Sequence, residues 1–309
     1  MTIRLGYQIP NFSYGTGVDQ LFPTVIAQAA EAEAAGMDAV FVMDHFYQLP
    51  VLGSPDQPML EAYTALGALA TATERIQLGA LVTGNTYRNP TLLAKSVTTL
   101  DVISQGRAIL GIGTGWFELE HEALGFEFGT FTDRFEKLDE ALEIILPMLR
   151  GERPTVNGKY YRAEEAMANP RFRDHLPLMI GGSGERKTIP LAAKHFDHLN
   201  LITSFDALPH KMGVIRQRCE DIGRDPATLE TSMLVTVIPD ETANPDRRGK
   251  GPRGYIAAGS PEAIAEQLKI AVFDAGVDGV IFNLPSYRPG VIAAVAAALR
   301  NVLPAAPTT

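Results

Sequence analysis

Three stretches of this chain repeat one pattern. Ala35-Gly36-Met37-Asp38-Ala39-Val40-Phe41-Val42 is echoed by Ala275-Gly276-Val277-Asp278-Gly279-Val280-Ile281-Phe282, and more faintly by Lys194-His195-Phe196-Asp197-His198-Leu199-Asn200-Leu201. Each reads as a helix ending, a short turn and a buried strand beginning. Asp38, Asp197 and Asp278 lie 159 and 81 residues apart, which fits four and two units of roughly 40 residues, the size of a strand-helix repeat. A chain of 309 residues then holds eight such units. The expected fold is a (β/α)8 TIM barrel, one domain spanning residues 1–309.

The rest of the chain supplies the units. Strands are expected at 3–9, 39–43, 76–82, 108–112, 178–180, 198–201, 231–237 and 279–282, with helices near 20–35, 61–73, 90–104, 132–149, 185–195, 206–222, 261–275 and 289–301. Two stretches fall outside the repeat. Residues 151–175 follow the fourth helix and are expected as an insertion on the face away from the chemistry, with Val156-Asn157-Gly158-Lys159-Tyr160 as a tight hairpin. Residues 240–255 follow the seventh strand and are expected as a mobile loop on the catalytic face, its Arg247, Arg248, Lys250 and Arg253 read either as part of a solvated linker or as a local positive run that meets an anionic ligand.

A composition of 46% hydrophobic residues suits a single large core, and a net charge of −9 argues against general affinity for nucleic acid or an anionic membrane. Cys219, the one cysteine, can form no internal disulfide; MTIRLGYQIP has no signal-peptide core, and the apolar run 291–299 is too short to span a bilayer. Together these features favour a reduced cytoplasm.

Chemistry is expected at the strand ends. The apolar run Val40-Phe41-Val42-Met43 breaks into Asp44-His45, placing a titratable imidazole where barrels keep their active sites. Gly181-Gly182-Ser183-Gly184 leads toward the helix expected at 185, where backbone N–H groups and the helix dipole suit a phosphate. Gly111-Ile112-Gly113-Thr114-Gly115-Trp116 has tryptophan where a dinucleotide fingerprint needs its third glycine. Phe46, Tyr47, Tyr87 and Trp116 are candidates for an apolar substrate pocket, although loop aromatics also pack on one another. His195 and His198 straddle a helix-strand junction, so no metal site is expected. Asp133, Glu136 and Glu140 read as a solvated face of the fourth helix. A Schiff-base aldolase would need a lysine at a strand end, and none is expected there.

Taken in order, Met43-Asp44-His45-Phe46, Gly79-Ala80-Leu81-Val82-Thr83-Gly84-Asn85-Thr86-Tyr87-Arg88-Asn89-Pro90, Gly113-Thr114-Gly115-Trp116 and Gly181-Gly182-Ser183-Gly184-Glu185-Arg186-Lys187-Thr188 resemble the bacterial-luciferase-like superfamily, and within it the branch using the deazaflavin coenzyme F-420. The resemblance implies an oxidoreductase that moves a hydride between F-420 and an organic substrate. The alternatives are an FMN-dependent monooxygenase of the same superfamily and a coenzyme-binding protein without a reaction of its own. It further implies Asp44 at the coenzyme, His45 as acid/base, a non-prolyl cis peptide at Leu81-Val82 behind the ring, Gly113, Thr114 and Gly115 lining it, Gly181, Gly182, Ser183 and Gly184 on its phosphate, and a homodimer. In the sugar-phosphate dehydrogenases of the branch a glutamate follows Gly-Thr-Gly and a tryptophan lies four residues beyond the histidine. Trp116 and Leu49 stand there instead, so glucose 6-phosphate is not the expected substrate.

Overall fold

The computed structural model describes residues 3–240 and 255–304. Its strands in chain order are β1 (Leu5–Ile9), β2 (Ala39–Val42), β3 (Gln77–Ala80), β4 (Thr83–Gly84), β5 (Ala108–Gly113), β6 (Val156–Asn157), β7 (Arg162–Ala163), β8 (Leu178–Gly181), β9 (His198–Leu201), β10 (Glu230–Pro239), β11 (Ile256–Gly259) and β12 (Gly279–Asn283). The helices are α1 (Val18–Ala34), α2 (Ala62–Ala72), α3 (Pro90–Ile103), α4 (Glu118–Leu124), α5 (Phe131–Arg150), α6 (Thr188–His195), α7 (Leu208–Asp221), α8 (Pro261–Leu268) and α9 (Val291–Arg300). The main sheet runs β10-β12-β1-β2-β3-β5-β8-β9 and β9 pairs back onto β10, which makes it the expected closed parallel barrel of eight strands. The loop expected at residues 240–255, with its four basic residues, lies outside the described residues but for its two ends.

The chain divides into two compact units, residues 1–41 with 180–309, and residues 42–179. In the first unit the repeated aspartates have a clear structural task. The Asp38 carboxylate accepts the N–H groups of Arg4 and Leu5 at 2.9 Å, and Asp278 accepts the N–H and hydroxyl of Thr231 at 2.8 and 2.7 Å. Each turn carboxylate thus satisfies orphan donors where a neighbouring strand begins. The glycines before them, Gly36 and Gly276, have φ of 69° and 90°, a left-handed helix ending that L side chains resist. The strands that follow are wholly buried, as an apolar run with helices outside requires.

In the second unit the third repeat is interrupted. The peptide between Leu81 and Val82 is cis, as the resemblance implied, and separates β3 from β4. Gly111 lies alongside, where a Cβ would come 2.2 Å from the Ala80 carbonyl oxygen. Helix α5 begins with a capping box between Thr130 and Asp133 and ends at left-handed Gly151. Beyond it, β6 and β7 pair as an antiparallel hairpin.

This hairpin bears on two expectations. Glu140 accepts the N–H groups of Lys159 and Tyr160, both at 2.9 Å, and Glu136 binds Lys159 and the Tyr160 hydroxyl. The carboxylates read as a solvated face therefore hold the hairpin against the first half of α5. The tip is not confined to the face away from the chemistry, because Tyr161 accepts a hydrogen bond from Asn85, just after β4, at 3.4 Å. Chain direction places only the start of an insertion; charge pairing along α5 decides where the hairpin lies.

Candidate active site

β2 ends at Val42 and delivers Asp44 and His45 side by side, but the two side chains have separate partners. Asp44 is buried and takes both forks of Arg88, at 2.7 and 2.9 Å, while the Gly84 N–H donates to it at 3.0 Å. Arg88 also bonds Glu61 and lies 4.9 Å over the Tyr63 ring. Burial alone would lower the Arg88 pKa, yet the hydrogen bond and charge of Asp44 and the hydrogen bond of Glu61 raise it. The carboxylate expected at the coenzyme therefore binds within the protein, tying the end of β2 to the segment after the cis peptide.

The partner of His45 is Glu120 on α4, a residue and a helix that the sequence reading missed. His45 Nδ1 lies 2.9 Å from Glu120 Oε2, and Glu120 is fully buried. The same carboxylate accepts from the N–H groups of Phe46 and Tyr47 at 2.5 and 2.9 Å and from the Tyr87 hydroxyl at 2.5 Å. Burial pushes its pKa up, but the His45, Tyr87 and Tyr47 hydrogen bonds and the His45 charge outweigh burial and hold it below the usual carboxylate range.

The aromatic candidates divide by position. Tyr87 is buried and packs with Phe46, 5.1 Å between ring centres, with Phe126 at 5.3 Å and with His121 at 4.8 Å. Tyr47 contributes its backbone N–H to Glu120. Trp116 is half exposed and stands edge-on to His45 at 5.6 Å, with Phe117 similarly placed at 5.8 Å. The apolar surface open beside the imidazole is thus that of Trp116.

His121 donates from Nδ1 to the Phe117 carbonyl and meets Thr86 Oγ1 through Nε2, at 2.8 and 2.7 Å. Burial, helped by the charges of Arg134 and Lys137, lowers its pKa below 6.5 against the pull of Phe117 and Glu120. The unfolded chain then takes up the proton first, so the stability this ring contributes is present above pH 6.5 and is lost as pH falls through the folded value. Urea unfolding from pH 7.5 to 5 is expected to show declining stability below about pH 6.5, and His121→Gln is expected to flatten that slope. An unchanged slope in the variant would show that His121 is not its source.

The glycine runs are set by backbone. Gly113 leaves room for Val82, whose Cγ2 a Cβ would approach at 3.0 Å, and Gly115 has φ of 76°. The Thr114 hydroxyl reaches the Gly115 carbonyl at 3.3 Å. In the other unit, Gly182 has φ of 131° and donates its N–H to the Asn200 carbonyl, while Ser183 donates its hydroxyl to that of Ile202, both at 2.9 Å. α6 starts at Thr188, so Gly181 to Gly184 does not enter a helix directly, and the turn at 185–187 intervenes. Arg186 and Lys187, in the turn that follows, are exposed. His198 is buried against Ser232 at 2.7 Å. Among the described residues no cluster of three or more His, Cys, Asp or Glu side chains is arranged to hold a metal ion, and no helix is long and apolar enough to cross a membrane.

Comparison with known proteins places these features in context. A family model described as luciferase-like monooxygenase matches residues 3–249. The F-420-dependent glucose-6-phosphate dehydrogenase of Nakamurella multipartita is 33% identical over 233 residues, 73% of this chain and 67% of that one. The enzyme of the same name from Microbacterium testaceum is 34% identical over 197 residues, 61% of this chain and 54% of its own length. The chain therefore spans between half and two thirds of these curated relatives. Among solved structures, an F-420-dependent secondary alcohol dehydrogenase in complex with an F-420-acetone adduct superposes with a TM-score of 0.82 at 20% identity, covering 98% of this chain and 99% of that one. The F-420-dependent tetrahydromethanopterin reductase of Methanopyrus kandleri gives 0.78 at 18%, covering 98% and 100%. A long-chain alkane monooxygenase also gives 0.78, at 17% identity, covering 100% and 94%. At these identities the structural likeness speaks for the fold.

Proposed function

The chain belongs to the luciferase-like monooxygenase family, and within it we propose an F-420-dependent oxidoreductase that transfers a hydride between the deazaflavin and a small to medium, partly apolar organic substrate. The curated relatives named for F-420 support the choice of coenzyme over FMN. The observation that carries the reading is His45, held by a buried carboxylate next to the half-exposed Trp116. When bound, a deazaflavin supplies a carbon centre that exchanges hydride and activates oxygen poorly. The protein's own contribution is orientation, a proton site and a dry surface. His45 handles the proton; Trp116 and Phe117 keep water from one side of it; Leu81, Val82 and Gly113 to Gly115 offer a glycine-relieved wall to a flat ring. Asp44 acts by anchoring Arg88.

Trp116 and Leu49 in place of the expected glutamate and tryptophan direct the substrate away from sugar phosphates and toward alcohols, aldehydes or ketones with apolar substituents. Assembly as a homodimer and residence in the cytoplasm belong to the same proposal, the first on the family resemblance and the second on the lone, buried Cys219. Equilibrium binding of F-420 and of FMN, followed by turnover with a panel of alcohols and carbonyl compounds, tests the reading. Binding and discharge of F-420 are expected. Tight FMN binding without F-420 binding would favour the monooxygenase, and F-420 binding that no substrate discharges would favour a coenzyme carrier.

A further inference from the structure

The two oxygens of Glu120 have different duties. Oε1 accepts two backbone N–H groups, those of Phe46 and Tyr47, while Oε2 faces His45 Nδ1 and the Tyr87 hydroxyl. Backbone amides can only donate, so the side holding Oε1 always demands an oxygen without a proton. Glu120 is fully buried and satisfied from both sides as an anion. An ionised carboxylate has no hydrogen to give, so the hydrogen between it and His45 sits on Nδ1, and Nε2 keeps its lone pair.

We propose that Glu120 is a positioning residue that fixes the tautomer of His45, making Nε2 the atom that exchanges a proton with substrate. The proton-transfer half of this inference rests on the proposed function; the tautomer does not. With a substrate hydroxyl, the O–H bond breaks and an Nε2–H bond forms. The O–H electron pair becomes the second carbon-oxygen bond as the carbon gives up its hydrogen with both electrons to the deazaflavin, and the reverse reaction returns both. The imidazolium formed is balanced by Glu120. The polar groups around His45 are consistent with this. Tyr87 stays a donor, its phenol kept protonated by burial and by Glu120 itself. The neighbouring Asp44 is neutralised by Arg88, and the rings of Trp116 and Phe117 are uncharged. His121, next along α4, is tied to Phe117 and Thr86.

Glu120→Gln is the informative variant because the amide cannot serve both sides. Its oxygen must stay on the two backbone N–H groups, so its NH2 turns toward His45 Nδ1, which then has to accept. The proton is expected to move to Nε2, closing the atom that reacts, as replacing an orienting carboxylate by its amide does in a serine-protease triad. The experiment is nitrogen-15 NMR of the imidazoles in the coenzyme-free protein at neutral pH, with His45 assigned by the loss of its signals in His45→Ala. Protonated Nδ1 in the parent and protonated Nε2 in Glu120→Gln are expected. Turnover of the loaded variant is expected to fall about 100-fold, through kcat, with F-420 affinity unchanged within a few-fold. A parent His45 protonated at Nε2 overturns the proposal, and needs no variant to fold. A folded Glu120→Gln with the parent's tautomer also overturns it. Protonated Nδ1 in a protein that F-420 does not serve would sink the functional reading and leave the positioning intact.

Discussion

His45→Ala is expected to slow hydride transfer by roughly 100-fold or more, the usual size of a general acid/base contribution, while F-420 affinity stays within a few-fold of the parent. The imidazole is partly exposed and its polar anchor among the described residues is Glu120. Truncation leaves Glu120 with three of its four donors, from Phe46, Tyr47 and Tyr87, so the strand end and α4 stay joined. A loss confined to kcat is therefore expected, with little change in thermal midpoint. Single-turnover reduction of the coenzyme separates chemistry from binding. Unchanged turnover would remove His45 from the reaction and return Asp-His at the end of β2 to a packing role.

Arg88→Met has the largest expected effect on stability. Asp44 is 1% exposed as a side chain, and Arg88 contacts both of its oxygens. Removing one partner of a buried pair leaves an uncompensated charge, a cost of about 3 to 5 kcal/mol. Glu61 loses its partner as well, but it is 38% exposed and can turn to water. Urea unfolding of Arg88→Met, of Asp44→Asn and of the double variant tests the pair. The double variant is expected to recover much of the single loss, because no charge is then left buried. A single-variant loss below about 1 kcal/mol would mean the pair behaves as a surface ion pair.

The barrel was legible because its signals are local. The eight expected main strands are all present, most with ends shifted by only a residue or two, and His198–Leu201 matches at both ends. The expected helix over 261–275 is instead α8 followed by a π-helical turn at Lys269–Phe273, a difference of hydrogen-bond register that side-chain periodicity does not encode. The site was only half legible. Asp44-His45 could be located by the break in an apolar run, but nothing in the sequence names the partner of either side chain. At a strand end successive side chains point to opposite sides, and each found a partner far along the chain: Arg88 for Asp44, Glu120 for His45. α4 is a helix of seven residues, too short to leave a periodic signature. Its one available signal was Glu118-Leu119-Glu120-His121 directly after the aromatic pair Trp116-Phe117, an acidic cluster that was read past because no pattern marks a carboxylate as buried.

The turn carboxylates of Asp38 and Asp278 bear on how such chains should be compared. They sit where strands begin, and what they do is satisfy backbone donors. The most audible refrain in the sequence therefore records the masonry of the closed sheet and is silent about catalysis. Chains gathered because they share that refrain will share a scaffold while differing in what they transform. Discriminating among them calls for weighting the few positions that surround His45, above all 116 and 120, over the many that merely keep the staves together.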